Sequence, residues 1–192
     1  MSLYRIILVD DEEEVRKSII RKIDWQAVGF TVVGDAENGE DALEKIENLE
    51  PDVVLTDIRM PYMDGLTLAE KIRQKYPSMK IVIFSGYDDF EYAKRAIKLN
   101  VTEYILKPVN VEELTAILRK IQASLDEEIE QKRDVSLLRE NYKRSLPILR
   151  EQFLKDLVSR QMDEKTVEEK LEQYDIPYLS TVIVKNPRKR GK

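Results

Sequence analysis

Pro51-Asp52-Val53-Val54-Leu55-Thr56-Asp57-Ile58-Arg59-Met60-Pro61-Tyr62-Met63-Asp64-Gly65 decides the fold. Val53–Thr56 is a short, mostly β-branched run without polar alternation, the pattern of a parallel strand covered on both faces. Asp57 follows the run at once, and Asp64-Gly65 supplies turn chemistry before an amphipathic helix at 65–75. A strand ending in a carboxylate, then a loop, then a helix, makes one βα unit. Outward from it the unit recurs. Strands are expected at Tyr4–Val9, Phe30–Val33, Lys80–Phe84 and Glu103–Leu106, with helices near 13–24, 39–47 and 89–99 and a fifth starting near Val111. Asn38-Gly39 and Asp88-Asp89 mark the starts of the second and fourth helices. Five such units predict an α/β fold, a doubly wound five-stranded parallel sheet with right-handed crossovers.

Composition narrows the function. The 192 residues hold no cysteine, which removes disulfides, thiolate metal sites and cysteine nucleophiles, and no histidine, so this chain is neither a phosphohistidine carrier nor a His-ligated metalloenzyme. A net charge of −5 argues against the whole chain acting as an electrostatic nucleic-acid binder. No apolar run reaches membrane-spanning length and no signal-peptide pattern opens the sequence, so a cytoplasmic protein with no membrane contact is expected.

Beyond about Leu125 the character changes. The first domain is placed at 3–125, a helical linker at 126–178, and the start of a truncated following domain at 179–192. Asp126–Asp134 is almost wholly charged, after which Val135, Leu138, Tyr142, Leu146, Leu149, Phe153 and Leu157 form an apolar stripe with an eleven-residue period. Pro147 is expected either to kink this helix or to start a second one near a Ser145 cap. A further helix is expected over Lys165–Tyr174, then an orphan strand at Leu179–Val184 and a basic tail, Arg188–Lys192. The stripe must be covered, either within the chain or by a second copy.

Ligands in an open α/β sheet sit outside the carboxyl ends of the strands. Those ends carry Asp10 and Asp11, Asp57, Ser85 and Lys107. Three clustered carboxylates repel one another and call for a cation. With oxygen ligands alone, the expected ion is hard, Mg²⁺. An aspartate beside it can act as an oxygen nucleophile toward a phosphoryl group, while Ser85 donates a hydrogen bond to the phosphoryl oxygens and Lys107 neutralises their charge.

With these residues in view, the chain resembles the receiver domains of two-component response regulators over roughly residues 3 to 125. The resemblance rests on Ile7-Leu8-Val9-Asp10-Asp11-Glu12, Asp57 through Gly65, Phe84-Ser85-Gly86 and Leu106-Lys107-Pro108. It implies a flavodoxin-like strand order of 2-1-3-4-5 and Asp57 as phosphoacceptor. It further implies Mg²⁺ held by Asp11, Asp57 and the backbone carbonyl of Arg59, with Asp10 acting through water. Ser85 and Lys107 would bind the phosphoryl group, Ser85 and Tyr104 would form the switch, and Lys107-Pro108 would be cis. A sensor histidine kinase is the implied donor. A finer resemblance, carried by Ile23-Asp24-Trp25, 88–93 and the helices from Leu146 onward, is to regulators with an AraC-type helix-turn-helix output. That output is expected to lie in a domain missing from this chain, so DNA is reached only through it. A homodimer is expected through the helical extension or the receiver face.

Blander and competing readings stay open on the sequence alone. Asp10 and Asp11 could merely favour the helix that follows, and Tyr104 could be ordinary packing. An aspartyl-phosphate phosphatase would want its nucleophile after the first strand with a second Asp two residues later, but Glu12 stands there after Asp10 and Arg59 after Asp57. A nucleotide-binding protein would want a G-x-x-x-x-G-K-[ST] loop, which does not occur. An inert dimerisation scaffold remains a third class.

Overall fold

A computed structural model describes residues 3–86, 90–159 and 163–174. The strands are β1 (Tyr4–Val9), β2 (Phe30–Ala36), β3 (Val53–Asp57), β4 (Lys80–Ser85) and β5 (Glu103–Leu106). The helices are α1 (Glu13–Lys22), α2 (Gly39–Leu49), α3 (Gly65–Lys75), α4 (Phe90–Lys98), α5 (Val111–Val158) and α6 (Glu164–Gln173). All strand pairings are parallel, in the order β2-β1-β3-β4-β5. This is the doubly wound sheet that the sequence predicts.

The strands are apolar on both sides because both sides are covered. Ile6 and Leu8 of β1 join one buried cluster with Leu114, Leu118 and Ile121 of α5, whereas Ile7 and Val9 join another with Ala42, Ile46, Leu66 and Ile72 of α2 and α3. The two-residue period of a strand sends neighbours to opposite faces. Asn38 caps α2 by accepting from the amides of Glu40 and Asp41, and Asp64 caps α3 through the amide of Thr67. Both turn signals therefore act as expected. Asp88-Asp89, expected to cap α4, lies outside the described residues, as do the expected strand Leu179–Val184 and the tail Arg188–Lys192.

Several boundaries move, and each has a cause. β2 runs on to Ala36 because it keeps pairing with β1 past an irregularity between Ile6 and Ile7. α1 stops at Lys22 because Ile23 turns extended and drops Trp25 into the core, where the indole N–H donates to the Ile20 carbonyl at 2.9 Å. A 3₁₀ turn, Gln26–Val28, then ends on Gly29 at φ 83°, a left-handed conformation that favours glycine. β3 and β4 each gain one residue, so Asp57 and Ser85 are the last residues of their strands.

The chain divides into a first unit through Glu127 and a second from Glu128. Within the second, α5 continues through Pro147 as one helix, so the alternative of a second helix starting at Ser145 does not occur; the Ser145 hydroxyl donates to the Tyr142 carbonyl instead of capping a new helix. The proline forgoes one i→i−4 bond. Phe153 of α5 is buried with Val167, Leu171 and Tyr174, and Phe153 meets Tyr174 edge-on at 5.8 Å. The Tyr142 hydroxyl and Arg150 Nε donate to the carbonyls of Gln173 and Tyr174, satisfying the C-terminal end of α6. Leu146, Phe153 and Leu157 of the predicted stripe are therefore covered within the unit, while Val135, Leu138, Tyr142 and Leu149 stay exposed. Among the described residues no helix is long and apolar enough to cross a membrane.

Candidate functional site

The carboxyl ends of β1, β3, β4 and β5 meet at one rim, and one ammonium ties them together. Lys107 Nζ stands 2.8 Å from Asp10 Oδ2 and 2.9 Å from Asp57 Oδ1. The other oxygen of each acid is held by backbone: Asp10 Oδ1 accepts from the Glu12 amide at 2.9 Å, and Asp57 Oδ2 from the Arg59 amide at 3.0 Å. The strand ends are themselves laced together. The Lys107 amide donates to the Ser85 carbonyl at 2.7 Å, and the Ile58 amide to the Phe84 carbonyl at 3.2 Å. The Lys107-Pro108 peptide is cis.

Beside this knot lies a cleft of about 250 Å³ whose walls include Asp11, Glu12, Asp57, Arg59, Ser85 and Lys107. A glycine lets the next helix start close behind Asp57. A Cβ on Gly65 would fall 1.9 Å from the Asp57 carbonyl oxygen, so only glycine lets the start of α3 close on the end of β3, where the Gly65 amide donates to the Ile58 carbonyl. Asp64-Gly65 is legible in the sequence as a turn; the need for this close approach is not.

Electrostatically the site is under tension. Burial pushes the Asp57 carboxyl above the ordinary aspartate range, and the hydrogen bond and charge of Lys107 offset that only in part. For Lys107, burial alone would favour the neutral amine, but the hydrogen bonds and charges of Asp10 and Asp57 outweigh it and hold the ammonium above its usual value. One cation shared by two buried acids leaves the Asp57 carboxylate incompletely compensated.

The predicted residues divide as follows. Asp10, Asp57 and Lys107 are in direct contact; Asp11, Arg59 and Ser85 line the same cleft. The three expected carboxylates share the rim but not a single ligand set. Among the described residues no three acidic side chains form a metal-binding group, because Asp10 is turned to Lys107 and the Glu12 amide. Part of the cation that the acids demand is thus the Lys107 ammonium. Asp11 is exposed, with no hydrogen-bond or ion-pair partner among the described residues, and together with Asp57 it offers oxygen donors only. That set fits a hard ion which keeps most of its waters and takes one or two carboxylates. Tyr104 does not line the cleft. It packs with the cluster around Ile83, its hydroxyl buried without a partner among the described residues. Sequence reasoning missed Glu12 and Gly86 in the cleft wall, and it missed Arg16, buried on α1 beneath the acidic pair.

The sequence profile described as "Response regulator receiver domain" matches residues 6–119. The chain belongs to the response regulator receiver family. The receiver is 35% identical over 157 residues to the Bacillus subtilis protein named "Uncharacterized transcriptional regulatory protein YesN", covering 82% of this chain and 43% of that one. It is 35% identical over 126 residues to the transcriptional regulatory protein HptR of Staphylococcus aureus, covering 66% and 49%. Among solved structures, the REC domain of AraT, a response regulator from Geobacillus stearothermophilus, is 39% identical with a TM-score of 0.59 and covers 68% of this chain and 98% of that domain. A two component transcriptional regulator AraC from Clostridium phytofermentans is 38% identical with a TM-score of 0.60, covering 65% and 98%. The receiver chain thus spans less than half the length of these curated relatives.

Proposed function

We propose that this receiver accepts a phosphoryl group on Asp57 from a sensor histidine kinase and, through the change that follows, controls transcription by a DNA-binding domain lying outside residues 1–192. The observation that carries the reading is the single ammonium of Lys107 spanning Asp10 and Asp57 at the rim of a cleft that also holds Asp11 and Ser85. An oxygen of Asp57 attacks the phosphorus of a phosphohistidine; the P–O bond forms, the P–N bond breaks, and the imidazole nitrogen takes its proton from solvent. Lys107 moves its charge onto the incoming phosphoryl oxygens, and the Ser85 hydroxyl donates to them. Mg²⁺ is assigned to Asp11, Asp57 and the Arg59 backbone carbonyl, with Asp10 through water; when bound it supplies charge neutralisation for the phosphoryl oxygens. The chain turns over no substrate beyond its own phosphorylation and dephosphorylation, and its place is the cytoplasm.

Ser85 and Tyr104 are assigned to the switch. The support is that Tyr104 sits on β5 beside β4, paired with Ile83, with a buried hydroxyl that gains by finding a partner. Association of two copies through the extension belongs to the same proposal, supported by the exposure of Val135, Leu138 and Ile148.

Intact-protein mass spectrometry after acetyl phosphate treatment tests the core of this reading. One phosphoryl adduct is expected with Mg²⁺ present, and none in Asp57→Asn; undiminished labelling of that variant would overturn the assignment. On the same samples Tyr104→Ala should still be labelled but show smaller amide shifts over β4 and α4, since allosteric couplings usually amount to ~1–3 kcal/mol. Equal shifts would reduce Tyr104 to packing.

A further inference from the structure

Arg16 stands about one turn into α1 with its side chain almost wholly buried, yet it does not line the cleft. Its guanidinium is committed on two sides. Nε lies 2.8 Å from Asp35 Oδ2 at the end of β2, and one terminal nitrogen donates to the backbone carbonyl of Asp10 at 2.5 Å. Asp35 is itself fixed, since its carbonyl accepts from Lys45 Nζ at 2.7 Å. A planar fork anchored on one carboxylate has little freedom left, which an ammonium could not reproduce.

The carbonyl that Arg16 holds lies just past the end of β1, where no neighbouring strand can bond it. That C=O and the Asp11 N–H form one rigid peptide plane. Orienting the carbonyl therefore orients the amide of Asp11 and one side of its backbone. The amide of Asp10 is pinned to the Ala36 carbonyl at 3.1 Å and its carboxylate to Lys107, so every polar group of Asp10 is held. The Asp11 carboxylate, by contrast, has no partner of its own among the described residues. Its place in the cleft wall therefore depends on the backbone that carries it, and Arg16 holds that backbone at the Asp10 carbonyl.

We infer that Arg16 is a positioning residue for the divalent-cation site: braced on Asp35, it fixes the Asp10–Asp11 peptide and so presents the Asp11 carboxylate to the ion. This rests on the reading of Asp11 as a ligand. Residues that orient ligands typically contribute roughly 10–100-fold to metal affinity or activity. The test is an NMR titration of the full chain with magnesium chloride, following the Asp11 and Arg59 amides, with thermal unfolding as a check on folding. Arg16→Gln is expected to bind Mg²⁺ roughly tenfold more weakly, at the low end of that range. Arg16→Lys should recover only part of that loss, and Asp35→Asn, which keeps Arg16 but loosens its brace, should fall between parent and Arg16→Gln. Raising Mg²⁺ to saturation should return phosphorylation by acetyl phosphate to near the parent's rate, which a collapsed site would not do. A folded Arg16→Gln chain, or an Asp35→Asn chain should Arg16→Gln not fold, that binds Mg²⁺ as the parent does would overturn the inference and leave the proposed function standing. A parent that itself shows no Mg²⁺-dependent shifts overturns both.

Discussion

The receiver unit and the helical extension present the same kind of signal, apolar residues at regular spacing, and meet different fates. In the receiver, each strand residue from Ile6 to Val9 is at most 2% exposed, because α1 and α5 close one face of the sheet and α2 and α3 the other. In the extension, Phe153 is 1% exposed under α6, while Val135 and Leu138, members of the same stripe, are 64% and 69% exposed. Periodicity states which face wants cover. It does not state what covers it. The sheet answers that question for itself, since parallel strands need crossovers that bring their own helices; a lone helix has no such guarantee.

The largest effect that sharpens this contrast is expected at Gly65. A methyl there would drive into the backbone of Asp57, which cannot rotate aside. Overpacking usually costs ~1–3 kcal/mol, and with a backbone obstacle the loss should reach the top of that range or exceed it. Gly86→Ala, where an added Cβ meets nothing within 4 Å, should change stability by less than about 0.5 kcal/mol. Urea unfolding of both variants decides the matter. If the two behave alike, the closeness of α3 to β3 is not what the receiver depends on.

Much of this was readable in advance. The short apolar runs, mostly without polar alternation, give the five strands, and the residues that close four of them, Asp10, Asp57, Ser85 and Lys107, give the rim. Asn38 and Asp64 declare their caps because a short polar side chain before a helix has few other uses. The failures are of one kind, the choice of partner over long separation. Lys107 and Asp10 stand 97 residues apart, and nothing local says that one ammonium will grip two acids and turn Asp10 from the cleft. Arg16 reads as one more solvated charge on a highly charged helix until Asp35 and the Asp10 carbonyl are seen around it. Which of the two courses α5 takes at Pro147 is equally a matter of partners, because cover by α6 stabilises the single helix that propensity disfavours.

An intermediate effect would break the contrast instead. If a second copy covers Val135 and Leu138, the extension has a core after all, formed between chains. Burying a Val or Leu side chain fully is worth roughly 1.5–3 kcal/mol, so Leu138→Glu should weaken self-association by at least about tenfold. It should leave the receiver's unfolding transition in place. Sedimentation velocity over a concentration series is the measurement. Equal association of parent and variant would move the contact elsewhere, and a monomeric parent at high concentration would leave the exposed part of the stripe without this role.

The smallest effect is expected at the start of α6, where the helix that shelters Phe153 begins on an exposed cap. Asp163 accepts from the Thr166 amide at 2.9 Å and from its hydroxyl at 2.8 Å, and these hydrogen bonds, the amide's first, hold the carboxyl below the ordinary aspartate range. A carboxyl lowered on folding contributes stability that is fully present above its unfolded pKa and is lost as pH falls through its folded value. Acidification should therefore fray the first turn of α6 while the caps at Asn38, which cannot titrate, hold α2 unchanged. Asp163→Asn separates charge from geometry: it keeps an acceptor for Thr166 but removes the titration. Hydrogen exchange at the Thr166 amide should accelerate on acidification in the parent, beyond the intrinsic pH dependence of exchange, and not in Asp163→Asn, with Asp163→Ala fast throughout. An acid-dependent loss of protection that survives in Asp163→Asn would mean another group governs that end of the helix.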